Sequence, residues 1–167
     1  MNKIIPGLAL IFLVSCSQQQ ASNANSTAAL EAEISQLKVA IDDLKPGLGE
    51  TMGVIQQHHA KLYYAGSKSN WPLADYELGE IQESLEDAVK FNPTFKGAPV
   101  ASLVPALTKE SLQKVHDAID KKDKKAFVEA YSTLSTSCSN CHKAANHSFV
   151  QIQVPTEAQF SDQKFAP

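Results

Sequence analysis

Three residues near the C-terminal end of the sequence have types and spacing suited to joint chemistry: Cys138, Cys141 and His142, in the run Cys138-Ser139-Asn140-Cys141-His142. Two thiols three residues apart, followed at once by an imidazole, form the C-x-x-C-H spacing at which a c-type haem is attached. Each thiol can add to one vinyl group, and the adjacent imidazole is placed to ligate the iron from one side. A structural zinc site would need a second ligand pair, and the sequence holds no other C-x-x-C and no H-x-x-x-H. One covalent haem c, held by Cys138 and Cys141 with His142 on the iron, is the expectation.

The opposite end of the chain bears on compartment. Residues 1–16 read as an export signal: Lys3 precedes a short apolar run over 4–14, too short to span a bilayer as a stable helix. The segment closes on Leu13-Val14-Ser15-Cys16, the pattern of a bacterial lipobox, so Cys16 is expected to carry lipid and to tether the protein to a membrane. With Cys16 lipidated and the other two cysteines on haem, all three cysteines are assigned. Bacterial c-type haem attachment takes place outside the cytoplasm, which agrees with export to the periplasm, on the outer membrane in preference to the inner.

The formal charge is −3 for the full chain, and all 15 basic residues are Lys. Without residues 1–16 it becomes −4. A mildly acidic chain lacking Arg forks is a poor partner for nucleic acid. No Gly-rich phosphate loop, Ser nucleophile elbow or paired-carboxylate motif is present, so no enzyme is expected.

The elements that must position the haem residues follow from hydrophobic spacing. Residues 17–27 are polar and read as a flexible tether. Leu30, Ile34, Leu37, Ile41 and Leu44 recur at 4, 3, 4, 3 and predict an amphipathic helix within 28–45. A second copy could pair with this stripe as a short coiled coil, giving a homodimer, although packing on the chain's own bundle is the simpler expectation. Leu48, Met52, Ile55, His59 and Leu62 predict a helix from about Pro46 to Gly66. A third helix follows Trp71-Pro72 and stops before Asn92-Pro93, with Tyr76, Leu78, Ile81 and Leu85 on its stripe. Pro93, Pro99 and Pro105 suggest a connector over 92–107, with Thr108 as N-cap of a fourth helix. The Lys-rich run 121–125 reads as a solvated turn in which Asp123 caps the last helix.

On that last helix Phe127, Tyr131, Leu134, Cys138, Cys141 and Ala145 keep the spacing 4, 3, 4, 3, 4. Both haem-bearing cysteines therefore fall on a buried stripe, and the haem is expected inside the packing near the helix's C-terminal end. The fold class is all-α: an antiparallel four-helix bundle over 46–148, an extra N-terminal helix, and an extended arm over 149–167 anchored by Phe160 and Phe165. No segment before the arm offers a convincing strand.

A single C-x-x-C-H on the last helix of such a bundle resembles the class II c-type cytochromes, cytochrome c′ and cytochrome c-556. It also resembles the b562-type bundle. The resemblance covers roughly 46–148 and, beyond the motif, is one of architecture. It implies His142 as proximal ligand. On the other side of the iron the family sets a residue of the first bundle helix: Met in low-spin electron carriers, an apolar residue in five-coordinate gas-binding forms. Met52, about one turn into the helix from Pro46, maps onto that position, with Gly49 and Gly53 leaving room beside it. Core filling is the other role open to Met52. His59 is the rival, about 10 Å further along the helix, and it also fits a hydrogen-bonded core position. His58 should point more outward, and either could contact a haem propionate. His116 reads as structural and His147 as no ligand, while Tyr63, Tyr64 and Trp71 read as packing. Electron transfer between periplasmic redox proteins is the expected function; binding or detoxifying a small gas such as nitric oxide is the alternative.

Overall fold

A computed structural model describes residues 14–157, 160 and 162–167, with side chains from 26 onward. The expected signal over 1–13 and the side chain of Cys16 lie outside the described residues. Among the described residues the chain is all-helical, and no helix is long and apolar enough to cross a membrane. It divides into two compact units, Met1–Lys45 and Pro46–Pro167.

The first unit is the helix α1, Val14–Asp43. It runs unbroken through the segment expected as a flexible tether. Nothing between Val14 and Lys45 is Gly or Pro, and six Ala favour continuation. The Lys45 ammonium pairs with Asp42 just beyond its end. The apolar stripe stays uncovered: Leu30, Ile34, Leu37, Ile41 and Leu44 are 58, 51, 55, 59 and 83% exposed.

The second unit holds α2 (Leu48–Ser67), α3 (Trp71–Phe91), α4 (Val100–Asp120) and α5 (Lys124–Ala144). Short connections at 68–70 and 121–123 make α2/α3 and α4/α5 antiparallel neighbours. Contacts of α3 with α4 and of α2 with α5 close the bundle. The caps are chemical. The Gly47 N–H donates to the Glu50 carboxylate at 3.2 Å, and the Asn70 side chain accepts from Leu73 N at 3.4 Å. Asp123 Oδ1, at the expected cap, accepts from Lys125 and Ala126 N–H groups at 3.0 Å each.

The connector over 92–107 is shorter than expected. The helix α4 begins at Val100, eight residues before Thr108, and carries Pro105 inside it. Pro105 is exposed, and so is Ala101, whose carbonyl would have received the missing N–H. Thr108 is a buried mid-helix residue whose hydroxyl donates to Val104 O at 2.8 Å. Tyr76, expected on the α3 stripe, is 57% exposed.

The core changes character along the bundle. One end is close-packed: Trp71 meets Phe127 edge-on with ring centres 6.1 Å apart, and Phe127 lies 6.1 Å from Tyr131. Leu62, Ala65, Ala74, Leu78 and Leu134 fill the space around them without exposure. The other end gathers the start of α2, the end of α3, the start of α4 and the end of α5, and it encloses a cavity. Past Ala144 the chain forms an irregular arm that packs on the bundle through Val154 and Phe165. The Phe165 ring lies 5.2 Å from that of Tyr64, whose hydroxyl donates to the Glu157 carbonyl. Phe160 sits under the Lys61 ammonium at 5.3 Å.

Candidate functional site

The stripe on α5 turns Cys138 and Cys141 toward the cavity because they continue the face that buries Phe127, Tyr131 and Leu134. The cavity has a volume of about 360 Å³ and is lined by Cys138, Cys141, His142 and Met52 together with Gly49 and Gly53. Leu85 of α3, Val100 and Val104 of α4, and Val150 and Ile152 of the arm complete walls that are mostly apolar. Four residues singled out by spacing, from two helices almost ninety positions apart, thus share one enclosure. That size and character suit a ligand pocket.

Burial sets the protonation states. Loss of solvent pushes the Cys138 thiol up to about 12, with the nearby Cys141 adding to it, and raises Cys141 in the same way. Both are therefore neutral thiols at neutral pH, which disfavours zinc binding or thiol exchange, chemistries that need thiolates. Burial also lowers His142, opposed by the Val150 carbonyl, so the imidazole is neutral and able to ligate a metal.

The residues present fit a haem on two observations. The buried Nδ1 of His142 has no hydrogen-bond partner. A Cβ added at Gly49 or Gly53 would meet nothing within 4 Å, so both leave open space beside the cavity.

His59 resolves as a core histidine. Tyr131 Oη lies 2.7 Å from its Nδ1 and Ser135 Oγ lies 3.1 Å from its Nε2, while the Tyr131 hydroxyl also reaches His59 O at 2.8 Å. With both ring nitrogens engaged, His59 has none left for iron. This layer separates the close-packed end from the cavity. His58, expected to point outward, instead has Nδ1 2.7 Å from a carboxylate oxygen of Glu77, which is 1% exposed on α3. His147 lines the cavity, its Nδ1 2.7 Å from Ala145 O and its ring beside Phe95 and Phe149.

Spacing alone missed Ser139. This residue of the motif donates to Ile152 O at 3.1 Å, and its hydroxyl accepts from Ile152 N–H at 2.8 Å. The arm is therefore fastened to the helix turn between the two cysteines. The one available signal was a small hydroxyl residue inside the motif.

His59 carries a stability prediction. Desolvation lowers it from 6.5 to about 4, so the folded state resists a proton that the unfolded chain takes up below pH 6.5. Its contribution is complete above pH 6.5 and is lost as pH falls toward 4. At about 1.4 kcal/mol per pH unit the total is about 3 kcal/mol. Melting curves between pH 7 and 4 should show a fall that His59→Gln lessens; an equal fall in both proteins would refute this role.

Comparison with known proteins supplies no relative: no family model matches the chain, and neither does any curated protein or solved structure.

Proposed function

We propose that this chain is a membrane-tethered monohaem c-type cytochrome that passes electrons between periplasmic redox proteins. The observation that carries the reading is the convergence of Cys138, Cys141, His142 and Met52 on one mostly apolar cavity. A covalent group suits that arrangement, because both thiols lie on the cavity face of one rigid helix.

The haem, when bound, supplies a one-electron iron couple. The chain does the rest. Cys138 and Cys141 would hold the group covalently through their sulfurs. His142, kept neutral by burial, would offer an imidazole nitrogen to the iron. Met52 would offer a thioether from α2, a donor type that favours reduced iron. The mostly apolar walls would lower the local dielectric around such a group. Cys16, acylated after export, keeps the domain at the membrane.

The test is the absorption spectrum of the ferric and ferrous protein with and without Met52→Ala. A low-spin ferric spectrum with an iron–thioether band, abolished by the substitution, is expected. A high-spin spectrum that Met52→Ala leaves unchanged would overturn electron carriage through a Met-ligated iron and favour the gas-binding reading.

A further inference from the structure

We propose that the exposed stripe of α1 is covered by a second copy of the chain, as a parallel, in-register two-stranded coiled coil over residues 30–44. The stripe has heptad form, with Ile34 and Ile41 at a and Leu30, Leu37 and Leu44 at d. β-branched residues at a with Leu at d are the combination that selects parallel dimers. All five side chains are more than half exposed, four of them on the unbroken helix and Leu44 in the turn just past its end, the condition a seam requires before it pairs.

The flanking charges fit the same pairing. Position g is Glu33 and the following e position is Lys38, so each copy's Glu33 faces Lys38 of the other, twice per dimer. A parallel arrangement in register matches all five stripe residues. Antiparallel pairing sets a against d and leaves one terminal Leu unmatched. The seam is only about 21 Å long, and two heptads alone are marginal in water. Lipid on Cys16 (this step rests on the function proposed above) sets both N-termini on one surface. It thereby enforces the parallel direction and raises the effective concentration of the partner.

The experiment uses the full chain with Leu30→Cys or Leu44→Cys, oxidised in bacterial membranes and run on a non-reducing gel stained for haem. Each variant is expected to give a covalent dimer, and Val39→Cys, at the outward f position, to give little. Glu33→Lys added to Leu30→Cys should lower the dimer several-fold by setting like charges together, and Lys38→Glu added to that should restore it. Absence of dimer at both 30 and 44, as antiparallel pairing or packing on the chain's own bundle would give, overturns the proposal. So does equal cross-linking at 39. Recovery of the chain in the soluble fraction would refute the lipid anchor, while the gel would still report the pairing.

Discussion

Cys138→Ala combined with Cys141→Ala is expected to abolish covalent haem completely while leaving a folded helical chain. The two sulfurs line the cavity instead of filling the close-packed end, where Phe127, Tyr131 and Leu134 are fully enclosed. Removing one sulfur from each half-buried position costs about 1 kcal/mol apiece, which a core of this extent tolerates. Haem staining of a denaturing gel and far-ultraviolet circular dichroism separate the two effects. Loss of stain with retained helix is the expected pair of results. Each single substitution should keep one thioether link and hence the stain. Stain persisting in the double variant would show that the group is held by something other than the C-x-x-C-H pair.

Gly66→Ala should cause the largest loss of stability among single-methyl changes in this chain. A Cβ at Gly66 would sit 2.2, 2.3 and 2.5 Å from the Cζ, Cε1 and Cε2 atoms of Phe127. The ring has nowhere to move, because it is unexposed and held between Trp71 and Tyr131. Elsewhere in a helix the same change stabilises by removing glycine's backbone freedom; here overpacking outweighs that gain and costs about 3 kcal/mol net. The melting temperature should drop by about 10 °C. Adding Phe127→Leu should recover much of the loss by freeing the space; no recovery would show that the clash is not with Phe127.

The bundle is legible in the sequence where one face of a helix is buried and the other wet. The stripes of α2 and α5, the Asp123 cap and the Asn92-Pro93 stop all state themselves locally. The start of α4 does not. Pro99 and Pro105 resemble loop punctuation, yet one is the N-cap and the other sits where its missing donor faces solvent. α1 misleads in the opposite way, since its composition resembles a linker while nothing in it breaks a helix. At the site, the three motif residues and Met52 are readable because motif and stripe coincide. The bonds that occupy His59 are not, since Tyr131 and Ser135 lie 72 and 76 positions away. Sequence spacing carries no information on which distant hydroxyl meets a ring nitrogen.

The clasp between Ser139 and Ile152 ties the arm to the turn that carries both cysteines. The same Ser139 hydroxyl lies 3.1 Å from Ser135 O, so its single proton has two carbonyls to choose between, one within the helix and one on the arm. Both thiols lie on the helix turn that this clasp holds. Val150 and Ile152 of the arm line the cavity beside them, and this irregular segment is the one expected to open at the lowest free energy. Release of that one serine hydroxyl is therefore the expected way for this wall of the cavity to open.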